Sequence, residues 1–404
     1  MKTIRPIAIY LPQYHPIPEN DLWWGKGFTE WCNVKNASPL VRNHYQPHLP
    51  ADSDFYDLRD PETRDKQAKM AKAHGIYGFC YYHYWFNGKR LLNLPIDEVL
   101  RTHKPDFPFC LAWANEDWTR AWDGNTGEVL IKQNYTHEDD LDHIRFLGTF
   151  FNDPRYIRVD GKPLFIIYKP ELFPNIRKTL KTWREEAAKI GIGDLYLCYF
   201  ENEIQNIDPQ ILGFDAAIEF QPNWWKLPPP IKRNKAGLYL KEHGFLLNAY
   251  YKHKFFDYLE FAKIMIDAGL KVTYKRFRCV TPMWDNTARR KKNAAIFFNS
   301  SPEKYEFWLK SVLQDFQPFS DQENFIFLNA WNEWGEGNHL EPCQKWGYSY
   351  LKATKKVLLS IGNNHARAEK QTKTSEDPTK RYHQHSLTLD KGTRQRAKGV
   401  ERLK

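Results

Sequence analysis

Long apolar runs are missing from this chain: no segment reaches the roughly 20 residues that a membrane-spanning helix needs. The amino end, Met-Lys-Thr-Ile-Arg-Pro-Ile-Ala-Ile-Tyr, is too short in apolar residues for a signal peptide. Residues 7–11 read instead as a first strand, and the expected location is the cytoplasm. Cysteine is scarce, with 6 in 404 residues and no C-x-x-C pair, whereas a zinc site calls for paired spacing. Cys80, Cys110, Cys198 and Cys279 each fall inside a strand-like apolar run, where a thiol behaves as a small buried hydrophobe. A Gly-rich first turn is also lacking. The first strand leads into Pro12-Gln13-Tyr14-His15-Pro16, which cannot cradle a diphosphate as a dinucleotide fold requires. Gly25-Lys26-Gly27 and Gly191-Ile192-Gly193 are isolated pairs. No metal and no cofactor is expected.

Positive charge is in excess, at +10, but unevenly placed. Residues 363–404 hold eleven Lys and Arg against five Asp and Glu, so +6 lies in the tail and only +4 in the body. That distribution argues against nucleic acid. Residues 362–404 read as a basic, disordered, solvated appendage, open to weak contact with an anionic membrane surface. Aromatic residues are abundant, at 16%, and many stand in polar loops beside Gly and Asn. Sugars offer apolar C–H faces that stack on such rings, so the pattern points to a carbohydrate ligand.

Eight short apolar runs alternate with amphipathic stretches. The predicted strands are 7–11, 78–82, 107–113, 164–168, 195–200, 216–220, 278–283 and 325–330. The predicted helices are 62–73, 94–103, 138–151, 176–190, a very short one within 204–211, 256–268, 302–315 and 348–359. Eight strand–helix pairs make an α/β fold, a (β/α)8 TIM barrel over residues 1–361. Chemistry in such a barrel sits at the carboxyl ends of the strands.

Six of the eight strands end in polar and aromatic residues. Tyr10 leads to Gln13, His15 and the loop holding Trp24, Glu30 and Trp31. Strand two delivers Tyr82, His83 and Tyr84; strand three delivers Trp113, Asn115, Glu116, Trp118 and Arg120. Glu219 ends strand six, and Trp284 and Asp285 end strand seven. Strand eight runs into Trp331-Asn332-Glu333-Trp334-Gly335-Glu336-Gly337. Glycosidic-bond chemistry needs one carboxylic acid to protonate the leaving oxygen and a second carboxylate as base or nucleophile. Glu333 and Glu336 fit that requirement, and indole faces nearby would raise a carboxyl's proton affinity. Plainer roles are open to several of these. His83 can be a structural hydrogen-bonder, Arg120 can pair with Asp117 or Asp123, and Glu30 can cap its own turn. Asp52-Ser53-Asp54 matches a metal-binding Asp-x-Asp pattern but stands in a Pro-rich turn. Trp224-Trp225 opens a long loop to about Lys254, of a length that forms lids or walls.

Five stretches together resemble a known family. They are 10–20, 23–31, 113–120, 284–290 and 331–337, and they look like the WbsX-type proteins of bacterial O-antigen and capsule clusters, often labelled glycosyltransferases. That family is similar in turn to glycoside hydrolase family 99, endo-α-mannosidases with (β/α)8 barrels. There Asn-Glu-Trp-x-Glu-Gly followed by Glu-Pro carries the catalytic pair, and 332–337 with Glu341-Pro342 match it. The resemblance implies Glu333 as base and Glu336 as acid. It further implies that Glu333 deprotonates the sugar 2-hydroxyl, which attacks C1. This sequence departs from the pattern at Gly335, often His there, and at Asp117, where Asn is expected.

The leading reading is therefore an enzyme cleaving or transferring glycosidic bonds of an oligosaccharide or polysaccharide. A glycosyltransferase using an activated donor and a non-catalytic carbohydrate-binding barrel are the alternatives.

Overall fold

The computed structural model describes residues 4–120, 128–243, 245, 248–314 and 316–375. Its centre is a ring of eight parallel strands: β1 (Arg5–Tyr10), β2 (Gly78–Phe86), β3 (Phe109–Trp113), β4 (Lys162–Ile167), β5 (Tyr196–Glu201), β6 (Ala216–Glu219), β7 (Arg276–Val280) and β8 (Phe325–Leu328). The ring closes because β1 pairs on both edges, Ile7 opposite Gly78 of β2 and Ile7 opposite Phe327 of β8. Every strand is a short run of aliphatic and aromatic residues, and Leu164 to Ile167 are wholly buried, as strands covered on both faces must be. Cys80, Cys110, Cys198 and Cys279 are buried in those strands as unpaired thiols.

Each strand is followed by a helix: α1 (Pro61–Ala73), α2 (Leu94–Thr102), α3 (His137–Phe151), α4 (Ile176–Lys189), α5 (Pro209–Leu212), α6 (Tyr258–Gly269), α7 (Pro302–Gln314) and α8 (Ser349–Ser375). Local chemistry sets several starts. The Asp60 carboxylate accepts from the Glu62 and Thr63 amides ahead of Pro61 at the first helical position, and Asp257 does the same for Leu259 and Glu260. The four-residue α5 is the weak link expected between strands five and six, stopped by Gly213 at φ +91°.

Two features depart from expectation. The last helix does not end near residue 359: its backbone stays helical to Ser375. Residues 376–404, the rest of the expected disordered tail, lie outside the described residues, as does Asp123. The long β6–α6 connection also carries structure of its own, with helices Lys235–Glu242 and Ala249–Lys252 and a strand, Lys254–Asp257. That strand pairs in parallel with Ala295–Phe298 of the β7–α7 connection, so the two loops form one wall at the carboxyl end of the barrel. Among the described residues no helix is long and apolar enough to cross a membrane.

Candidate active site

Strand β8 ends at Leu328; beyond it Asn332–Glu333 pairs antiparallel with Asn338–His339, and side chains fix that hairpin to the barrel. The Asn332 side chain acts as a strand partner for β1. Its Oδ1 accepts from the Leu11 amide at 2.8 Å and its Nδ2 donates to the Leu11 carbonyl at 3.0 Å. The Tyr14 hydroxyl donates to the Asn332 carbonyl at 2.7 Å and accepts from the Trp334 amide at 3.0 Å. Glu333 is thereby clamped between two fixed peptides. Gly337, at φ +55°, turns the chain beside Asp285, whose side-chain Cβ and backbone carbonyl would each lie 3.0 Å from a Cβ there.

The two carboxylates share one cation. Arg289 places Nη2 3.1 Å from Glu333 Oε2, Nη1 2.9 Å from Glu336 Oε1 and Nε 2.9 Å from Glu30 Oε2. Three carboxylates thus occupy three edges of one planar guanidinium, a geometry Lys cannot supply. Arg289 is itself placed by Asp285, which caps its turn by accepting from the Thr287 amide at 3.0 Å and is held by His44 at 2.5 Å. Burial opposes the charge on Asp285, yet the His44 contact keeps its carboxyl below the usual range.

Proton affinities follow from this burial. Burial pushes Glu333 up to about 8, against the pull of Arg289 and with repulsion from Glu336 and Glu30 adding to the rise. Glu336 is pushed up too, first by burial, while Arg289 and then Arg290 act the other way. The two carboxyls titrate as a coupled pair. The Glu333 side chain is 9% exposed and that of Glu336 21% exposed, so Glu333 is the deeper of the two.

These groups open onto a cleft of about 660 Å³ at the carboxyl end of the barrel. Of the residues expected in the site, Gln13, Trp24, Tyr82, Tyr84, Glu116, Trp118, Trp284, Glu333 and Glu336 line it. The others do not reach it. Tyr10 turns toward α1 and donates to Gln67 at 2.6 Å. His15 is buried with burial holding its ring neutral, at about 4. Trp31 packs on Tyr14 and Trp334 and donates to the Tyr56 carbonyl. His83 faces α3, its Nε2 3.0 Å from that of His143. Trp113 lies against His143 and Trp183 under the helices, so it offers no stacking surface. Asn115 ties its loop to the Lys169 backbone, and Arg120 pairs with Glu128 at 2.7 Å, not with Asp117. Glu219 is buried against Arg278 at 2.8 Å, and Trp331 packs on Phe79. Glu30, Asp285 and Asn332 lie beneath the cleft as supports.

Trp334 also corrects an expectation. Its ring stacks on His339, centroids 3.7 Å apart, and its Nε1 donates to Glu341 at 2.8 Å. The indole therefore serves Glu341, which burial pushes up to about 7, rather than either acid of the pair. Asp52-Ser53-Asp54 is an exposed turn tied to Lys66 of α1. Arg289, Tyr168, Trp23, Trp224 and Asp117 line the cleft without having been singled out for it. Arg289 stood in the quoted stretch 284–290, at the end of a strand, which was the available signal.

The fold has counterparts. The endo-α-mannosidase of glycoside hydrolase family 99 from Bacteroides thetaiotaomicron superposes with a TM-score of 0.55 at 16% identity, covering 90% of this chain and 98% of that one. A glycoside hydrolase-like protein gives a TM-score of 0.55 at 15% identity, covering 88% and 94%. At such identities the likeness is one of fold. In sequence, the protein WxcX of Xanthomonas campestris pv. campestris (strain B100) is 41% identical over 353 residues, 87% of this chain and 49% of WxcX. The chain thus spans about half the length of the curated relatives it matches. The glycosyltransferase WbsX family matches residues 6–354, nearly the whole described barrel. By that match and that identity, the chain belongs to the WbsX family of enzymes.

Proposed function

We propose that the protein breaks or transfers glycosidic bonds of a bacterial surface glycan of the O-antigen or capsule kind, with Glu333 and Glu336 as its acid–base pair. The observation that carries this reading is the pair itself: two buried carboxyls on separate nitrogens of one guanidinium, facing an aromatic cleft where barrel enzymes keep their chemistry. Tyr82, Tyr84, Trp118 and Trp284 supply rings for sugar faces, and Gln13 and Glu116 supply hydrogen-bonding groups for hydroxyls.

Glu336, the more exposed of the two, protonates the glycosidic oxygen as the C1–O bond breaks. Glu333 takes the proton of the sugar 2-hydroxyl, and that oxygen closes onto C1. In the return step Glu336, now ionised, deprotonates the incoming nucleophile, and Glu333 returns its proton to O2. Water as nucleophile gives hydrolysis; a sugar hydroxyl gives transfer. The family description favours transfer as the second outcome. The test is to incubate the protein with surface polysaccharide fragments, with and without an acceptor sugar. New reducing ends indicate hydrolysis, and lengthened acceptors without them indicate transfer. Binding without either product contradicts the proposal and leaves a carbohydrate-binding barrel. The supply of cytoplasmic or exported substrate follows from whichever glycan reacts.

A further inference from the structure

The cleft is electrically lopsided. Glu116 and Asp117 lie on the β3 side, where Lys169 already pairs with Glu116 at 2.7 Å. Strand β7 stands four places from β3 around the ring of eight, so its loop faces them across the mouth. There Lys254 and Arg290 line the cleft, both exposed, and neither has an ion pair or side-chain hydrogen bond among the described residues. Their neighbour Arg289 is saturated by three carboxylates, so a local shortage of acids is not a general property of this loop. The two cations come from different loops that the parallel pairing of Lys254 with Ala295 joins into one wall, and both line the same cleft.

We propose that Lys254 and Arg290 form an anion subsite for a phosphate, diphosphate or uronate group carried by the glycan beside the bond that reacts. This deepens the reading above and rests on it for the word glycan. Two uncompensated cations at a cleft wall attract an anion and offer it charge-assisted hydrogen bonds. The subsite also bears on the acid pair. Arg290 is close enough to oppose protonation of Glu336. An anion seated on Arg290 offsets that effect and strengthens the hold of Glu336 on its proton, as the proposed acid requires.

The experiment is titration calorimetry on the full chain with inorganic pyrophosphate, trigalacturonic acid and, as an uncharged control, mannotriose. The variants are Lys254→Gln with Arg290→Gln together, and Lys310→Gln on α7 as a distant control. Both subsite cations are exposed, so melting temperatures should match within a degree or two. At least one anion should bind the wild type and the Lys310→Gln protein alike, and bind the double variant about tenfold or more weakly. Response to pyrophosphate alone assigns a phosphate group; response to trigalacturonic acid alone assigns a uronate. The proposal is overturned if neither anion binds, or if the double variant binds both as the wild type does. The readout is binding, so a protein that turned over no glycan would leave the subsite standing, and loss of the subsite would leave the catalytic pair standing.

Discussion

The Glu30 carboxylate occupies the space in which a side chain at position 335 would begin: a Cβ on Gly335 would lie 1.8 Å from Glu30 Oε2 and 2.9 Å from Arg289 Nε. Gly335 is therefore a condition for the three-carboxylate cluster. Gly335→Ala should displace Glu30 or shift the β8 loop, with a stability loss of about 1–3 kcal/mol typical of overpacking. Thermal melts check the loss. Combining it with Glu30→Ala, which vacates the space, should cost less than the two single changes together. Strict additivity would show that the two positions do not collide.

Among the described residues Arg289 is the cationic partner of buried Glu30 and Glu333, so its removal leaves buried charge uncompensated. Arg289→Met should destabilise by roughly 3–5 kcal/mol where the carboxylates are ionised. The loss should shrink in acid, because protonated carboxyls need no counter-charge. Denaturant melts at pH 5 and pH 8 test this: the gap to wild type should be larger at pH 8.

The wild-type protein carries its own pH signature. Glu333 and Glu341 are raised from 4.5 to about 8 and about 7 in the folded chain. Each binds its proton more tightly folded than unfolded. Their contribution to stability is fully present below about pH 4.5 and is lost as pH rises through 7 and 8. Glu333→Gln should flatten the upper part of that decline. A wild-type stability that climbs between pH 5 and pH 8, with no change of slope in the variant, would contradict the assignment.

Trp118 lines the cleft, propped by Tyr84 and Trp23 at centroid distances of 5.3 and 5.7 Å. It is partly exposed, so its ring is free to cover a sugar. Trp118→Ala should weaken glycan binding by roughly tenfold, the scale of one lost aromatic contact, with a smaller effect on folding. Unchanged binding in a folded variant would remove it from the site.

The barrel was legible because its strands are buried on both faces and read as unbroken apolar runs between polar helices. The predicted bounds differ from those observed by a few residues. That Glu333 and Glu336 would face a cleft was legible because two carboxylates among tryptophans are costly in a plain turn. Side-chain direction was not legible. Along β2, Tyr82 and Tyr84 point into the cleft, while His83 and Trp85, between and after them, pack on His143 of α3. Residues at a strand end alternate between mouth and helices, and composition alone does not reveal the phase. The same parity hides Trp113 behind Ala114, which lines the cleft. Arg289 was passed over because an arginine in a basic loop reads as a solvated charge until its three partners, distant in sequence, converge on it.

The central claim is that Glu336 donates the proton and Glu333 accepts one. Its most direct test is turnover by Glu333→Gln and Glu336→Gln on paired glycosides, one with a poor leaving group and one with an activated aryl group. The account predicts that Glu336→Gln loses most turnover of the poor leaving group and little of the activated one, while Glu333→Gln loses both. Full activity in both variants, or a glycosyl ester trapped on Glu333 by mass spectrometry, would contradict it.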